Sequence, residues 1–458
     1  MTAEIVVMNR LGVALASDSA ASVLIDGRTK LFHSDKLYML SRCQPVGVMV
    51  YNNSALAHVP WETLIKLFRE RLGNKSFSSL DLYGGALIEF LQENVAMFPE
   101  TAQREVFLQG LIAYFRVLQG RIRNESKGIL RPQVGDVGPK LNGAAQKVLT
   151  DVLIEWNRAD DWVTDKAFGV TAIGRLSREV SEAINECFPY LNADNVRRLM
   201  DVARAVVTKL KMLPEAYSGI VIAGFGADEH FPSLVSYEIG GFFESKLKVL
   251  PGETVKVDGR VQAAVVPFAQ TDAVYSFLYG ARPSLYEDTI TEVAQVILGL
   301  PDLIIDGMPG VGKQRKSDYK SKVQAGLKDV ASEMFRELQE RREAKFLRPV
   351  LDSIAHLPKG ELAHVASTLV NLSSFQKRVS MTEDETVGGP IDVALITKGD
   401  GFIWVERKHY FKAELNSHYF RNRDAPPTSI DKENEHAQPK ARHQPFRPSN
   451  RRSKSSRH

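Results

Sequence analysis

Thr2 is the residue whose chemistry depends most on its place in the chain. A threonine hydroxyl is a poor nucleophile until a nearby base takes its proton, and a threonine at a free N-terminus carries that base itself. Its α-amino group has a reference pKa of about 7.7 to 8.0, so a good fraction is neutral near neutral pH. Met1 blocks this chemistry while it is attached, but a small second residue is what methionine removal tolerates, and no propeptide is required. Thr2 alone says little, because many chains open Met-Thr. The context adds to it: Asp18 closes the apolar run Gly12-Val-Ala-Leu-Ala-Ser17, and Lys36 opens Lys-Leu-Tyr-Met-Leu. A lysine beside the threonine favours the ionised hydroxyl and the neutral amine by repulsion of positive charge, and an aspartate keeps that lysine charged and aimed. The same acid and base can equally form a plain surface pair.

Other constellations are weaker. Gly307-Met-Pro-Gly-Val-Gly312-Lys313 has the glycine and lysine spacing of a phosphate-binding loop after the strand-like Asp302-Leu-Ile-Ile. Gln314 stands where a serine or threonine should hold magnesium, so a glycine-rich hinge is the preferred reading and a nucleotide-responsive regulator the outside one. The histidines include no pair at helical ligand spacing and no cysteine cluster beside them, so no metal and no cofactor is expected. Arg407-Lys408-His409-Tyr410 reads as a polar strand edge in preference to a nucleic-acid patch.

The elements that must position Thr2, Asp18 and Lys36 follow from hydrophobic pattern. Glu4 to Met8 and Gly12 to Asp18 are short β-rich runs joined by Asn9-Arg10-Leu11-Gly12, a tight turn. Val46 to Tyr51 is apolar at successive positions, as a strand covered on both faces would be. Pro60 to Arg71 and Leu80 to Glu93 read as helices. From about 101 to 216 the pattern is helical: Leu141, Ala145, Val148, Val152 and Trp156 share one face, as do Val196, Leu199, Ala203, Val206 and Leu210. Strands resume at Gly219 to Phe225, Leu234 to Phe243 and Val261 to Phe268. A second helical insertion, at about 300 to 345, includes Val323, Leu327, Val330, Met334 and Leu338 in a single stripe. A helix at Glu361 to Phe375 and two closing strands, Ile391 to Thr397 and Gly401 to Arg407, complete the body.

With 44 % apolar and 25 % charged residues among 458, the composition is that of an ordinary globular protein and excludes a fibrous or wholly disordered chain. No apolar run approaches the roughly 20 residues of a membrane span, and the N-terminus lacks a secretory signal, so a cytoplasmic location without membrane attachment is expected. Cys43 and Cys187 are too few for a disulfide framework and read as reduced thiols. Between Asp424 and His458 eight Lys and Arg face four Asp and Glu, which accounts for the whole net charge of +4. The body is balanced, nucleic acid is not an expected partner, and 424–458 reads as a disordered basic tail.

Thr2, Gly12-Val-Ala-Leu-Ala-Ser-Asp18-Ser19, Lys36-Leu-Tyr and Gly47-Val-Met together resemble the opening of proteasome β subunits and their bacterial peptidase relatives. Asp384-Glu-Thr-Val-Gly388-Gly389-Pro-Ile-Asp-Val, then Gly399-Asp-Gly-Phe-Ile-Trp, is similar to the acid and Gly-Gly stretch before that family's closing hairpin. The resemblance covers about the first 70 residues and the last 60 before the tail, and implies a specialised bacterial branch with helical insertions. It implies an α+β fold, the four-layer αββα sandwich of N-terminal-nucleophile (Ntn) hydrolases. Its core would be split into 1–100 and 217–423 around a helical insertion at 101–216. Carried over by residue, Thr2 would be nucleophile and base, Asp18 and Lys36 the pair that tunes it, and Asp384 the anchor of the amine. The Tyr51 backbone N–H would be the oxyanion donor, where the family has glycines; Val387 replaces a serine that orients the amine. The implied activity is hydrolysis of peptide or other amide bonds through an acyl-enzyme on Thr2. The implied partners are a peptide or protein substrate and further copies in a homo-oligomeric ring, with the unfoldase, if one exists, unnamed. A structural subunit that has lost turnover is the alternative.

Overall fold

In the computed structural model the described residues are 2–25, 28–127, 137–163, 166–214, 216–308, 312–379, 388–409, 411–412 and 415–416. The chain divides into two compact units, Met1–Lys408 and His409–His458. The first is an α+β body of antiparallel sheets and helices. It opens with β1 (Ala3–Asn9) and β2 (Gly12–Asp18), a hairpin whose turn is closed by the Asn9 side chain accepting from Leu11 N–H at 2.9 Å. A side hairpin, β3 (Ala20–Ile25) and β4 (Arg28–His33), leads to β5 (Leu37–Met39) and β6 (Val46–Asn52). The short pair β7 (Ala55–Leu56) and β8 (Val59–Pro60) precedes α1 (Trp61–Leu72) and α2 (Leu80–Glu93).

Five helices follow: α3 (Glu100–Lys127), α4 (Val137–Asn157), α5 (Lys166–Arg175), α6 (Ser177–Cys187) and α7 (Ala193–Thr208). Strands return as β9 (Ser218–Gly224), β10 (Ser233–Phe243), β11 (Lys246–Lys256) and β12 (Ala263–Ala269). Next come α8 (Asp272–Tyr279), α9 (Pro283–Asp306), α10 (Lys313–Arg342), α11 (Arg348–Ala355) and α12 (Lys359–Val379), and the closing hairpin β13 (Ile391–Thr397) and β14 (Gly401–Glu406). Gly401, at φ 75°, supplies the left-handed turn this hairpin needs.

The main strands form two five-stranded antiparallel sheets, in the orders β12-β1-β2-β13-β14 and β11-β10-β9-β6-β5. The central strands of each are buried on both faces. Between the sheets lie Val6, Met8, Val13 and Leu15 of the first and Met49, Val221, Ala223 and Leu234 of the second. The other face of the first sheet packs Ile5, Val7, Ala14 and Ala16 under Val274, Leu362, Ala366 and Val370 of α8 and α12. The other face of the second packs Val46, Val48, Ile220 and Ile222 under Trp61, Leu64, Tyr83 and Leu87 of α1 and α2. Coverage on both faces explains why β1, β2 and β9 are continuously buried and read as near-continuous apolar runs. Helices α3 to α7 enclose a further core around Leu111, Phe115, Leu149, Trp156, Leu199 and Val206, where the Trp156 indole N–H donates to Tyr114 Oη at 3.0 Å.

Several elements differ from expectation. Asp302-Leu-Ile-Ile, read as a strand, forms the last turns of α9, so the Gly307–Lys313 stretch does not follow a strand as a phosphate loop would. An apolar run of four is ambiguous between strand and helix, and the length of α9 with Pro283 in its first turn decided it. The second helical stretch accordingly begins at Asp272 and not near 300. β11 escapes the alternation signal because Pro251 and Gly252 interrupt it and its ladder to β10 shifts register twice. Among the described residues no helix is long and apolar enough to cross a membrane.

Candidate active site

Thr2 precedes β1 and is buried, and its carbonyl oxygen accepts from Gln270 N–H at 3.0 Å, carrying the β1–β12 ladder one step further. Along β1, Ala3, Ile5 and Val7 face the helices while Val6 and Met8 face the second sheet. The two-residue period of a strand therefore puts Thr2 and Glu4 on the inter-sheet side. The peptide joining Thr2 to Ala3 lies against Asp18, whose Oδ1 accepts from Ala3 N–H at 3.1 Å.

Asp18 ends β2 and is 1 % exposed. Its Oδ1 also accepts from Lys36 Nζ at 2.8 Å, and its Oδ2 accepts from Gly388 N–H at 3.0 Å. Lys36 stands immediately before β5, and its Nζ donates a second bond to Ala20 O at 2.6 Å. The β5–β6 connection is fixed there too, since Val50 N–H donates to Lys36 O at 2.9 Å. Burial pushes the Lys36 pKa down and Asp18 works against it, with the Lys408 ammonium adding to the depression. Gly388 and Gly389 bring the closing segment to the site: Ala20 N–H donates to Gly388 O, and Gly389 holds φ 79° where a Cβ would meet Ser19 Oγ at 2.7 Å.

Tyr51 lies near the end of β6, next to Val50. Its ring is buried between the sheets, 5.7 Å from Phe268 and 6.3 Å from Tyr217, and it occupies the space that a side chain at Gly219 would fill. Burial raises its phenol pKa, so the hydroxyl stays neutral. Asp384 lies outside the described residues.

Two features escaped the sequence reading. Glu4 is fully buried beside the Asp18–Lys36 pair; its Oε1 accepts a 3.4 Å bond from Ser17 Oγ and its Oε2 has no hydrogen-bond partner among the described residues. Burial pushes its pKa up to about 8, with Lys36 pulling it down and Asp18 pushing it further up. The available signal was a carboxylate in the run Ala3 to Met8, where every neighbour is apolar. The second is Lys408, read as part of an exposed polar edge: its Nζ donates to Asp392 Oδ2 at 2.7 Å and to Ser34 O at 2.9 Å, and it pairs with Asp35 at 3.3 Å. Asp392 in turn accepts Lys408 N–H through Oδ1, so a second, half-buried ion pair ties β13 to the segment before Lys36. The site thus brings together two lysines and three buried carboxyl groups, with no hydrogen bond to Glu4 Oε2 among the described residues.

No family profile and no curated protein matches the chain. It is similar to solved structures described as "Helical Assembly of the Anbu Complex from Pseudomonas aeruginosa" (10 % identity, 94 % of this chain and 100 % of that one, TM-score 0.29). It is similar likewise to "Anbu (ancestral beta-subunit) from Yersinia bercovieri" (9 %, 94 % and 100 %, TM-score 0.26). A third is a mutant Anbu from Hyphomicrobium sp. strain MC1 (11 %, 92 % of each chain, TM-score 0.25). The structures found carry the name Anbu, one with the gloss ancestral beta-subunit, and not that of a proteasome β subunit, which corrects the identity drawn from the terminal motifs.

Proposed function

We propose that this chain is an Ntn hydrolase that cleaves peptide or other amide bonds through an acyl-enzyme on Thr2 once Met1 is removed. The observation that carries the reading is that one buried carboxylate oxygen, Asp18 Oδ1, accepts from both Ala3 N–H and Lys36 Nζ. That bond pattern brings the ammonium to the residue next to Thr2 and fixes its position from two strands. Two sheets packed face to face with helices on their outer faces support the four-layer αββα arrangement for the core.

In the proposed reaction the Thr2 hydroxyl gives its proton to its own α-amine as Oγ attacks the substrate carbonyl carbon. The tetrahedral intermediate collapses as the scissile C–N bond breaks, and the leaving amine takes that proton. Water then attacks the Thr2 ester, releasing the acid and restoring the hydroxyl. Lys36 stays protonated, held by Asp18 and Ala20 O, and its charge favours the neutral amine. Asp384 anchors the amine, and the Tyr51 backbone N–H is carried over from the resemblance as the oxyanion donor. The experiment is hydrolysis of a mixed peptide-amide library by the purified chain and by Thr2→Ala. Loss of turnover in the variant supports the reading, and equal turnover removes Thr2 from the mechanism. A second reading, the same fold without turnover, is favoured by Tyr51 standing where the resembling family has glycines, and predicts no turnover in either protein.

A further inference from the structure

Helices α9 and α10 run side by side as a hairpin and bury Pro301, Ile305 and Ala331, with Ile297, Leu298 and Leu327 half-buried. Each helix also carries a second apolar stripe that no described residue covers. On α9 it is Val293, Val296, Leu300 and Leu303, at the 3-4-3 spacing of a helix seam; on α10 it is Tyr319, Val323 and Val330. These seven side chains are between 38 and 78 % exposed. On both helices the exposed stripe precedes the buried one by about a quarter to a third of a turn. In antiparallel neighbours that offset puts both stripes on one side of the hairpin. The stripe seen in the sequence over 323–338 is therefore split: Leu327 and Met334 turn toward α9, and Val323 and Val330 to solvent.

The charges on this hairpin indicate what covers it. Helix α9 carries five acidic residues and no basic one, while α10 carries nine basic and five acidic. Within one hairpin Lys320 already bridges Asp302 and Asp306 at 2.9 Å each. An acidic and a basic helix side by side, sharing one apolar face, are their own complement when turned about a two-fold axis parallel to the helices. Each α9 then lies over the other copy's α10, and like charges fall on the diagonal.

We infer that this face docks a second copy of the same hairpin, forming a four-helix bundle between two chains with α9 of each against α10 of the other. The inference does not depend on the reaction proposed for Thr2. It is tested by the molar mass of the full chain in solution, by light scattering at rising concentration, for the wild type and for Val296→Glu/Leu303→Glu. Both substituted positions are exposed in the single chain, so unchanged circular dichroism is expected of the variant. The expected result is that the variant has half the wild-type mass. A monomeric wild type overturns the inference, as does a variant with the wild-type mass.

Discussion

Replacing Glu4 by Gln probes the buried electrostatics of the site without relying on any activity. Glu4 is wholly buried, one oxygen has no partner among the described residues, and burial holds its pKa near 8 against an ordinary 4.5. In the unfolded chain the carboxyl ionises above its ordinary value, while in the fold it stays protonated until about pH 8. Because the folded pKa is raised, the contribution of Glu4 is fully present below pH 4.5 and is lost as pH rises through 8. The size follows from about 1.4 kcal/mol for each pH step over that window, so the full loss is about 5 kcal/mol. Gln keeps the shape and cannot ionise. The assay is urea unfolding of both proteins at a series of pH values. The stability of Glu4→Gln relative to wild type should be lowest at the acid end and rise steadily to a plateau above pH 8. A difference that does not change with pH would refute the reasoning: Glu4 would then ionise in the fold as it does in water.

Asp18→Asn should lower stability by about 3 to 5 kcal/mol, because it leaves the Lys36 ammonium buried without its counter-charge; denaturant midpoints measure this. Lys248 donates to Val206 O and Lys211 O from a buried position, and burial lowers its pKa to about 7. With the folded pKa depressed, its contribution to stability should grow as pH rises from 7 toward 10, and Lys248→Met should lack that slope in unfolding titrations. Gly219→Ala would place a Cβ about 2.0 Å from the Tyr51 ring, so the ring must leave its pocket; a loss of about 1 to 3 kcal/mol is expected in the same assay.

What the sequence discloses here is local pattern, and what it conceals is long-range pairing. The β1–β2 hairpin was legible because Asn9 and Gly12 bracket two β-rich runs, and α4 and α7 because their apolar stripes keep helical spacing. Asp18 and Lys36 were legible as an acid and a base at two strand ends, and they meet at 2.8 Å. Glu4 was passed over because a charged residue in a short strand is ordinarily assigned to a solvent face, and here both faces are covered. Lys408 was read as an edge because nothing in the sequence announces that Asp392, sixteen residues earlier, receives it. Tyr51 stands where the resembling family has glycines, and only the packed sheets reveal that the space beneath its ring comes from Gly219.

The central claim is that the amine and hydroxyl of Thr2 act together beside Lys36. It is tested most directly by peptide-level mass spectrometry of the purified chain after treatment with an epoxyketone, a probe that needs both groups on one residue. The expected result is an N-terminal peptide that begins at Thr2 and carries the probe, with labelling lost in Lys36→Ala. A chain that keeps Met1 in its functional form, or one that hydrolyses amides while Thr2 remains unlabelled, would contradict it.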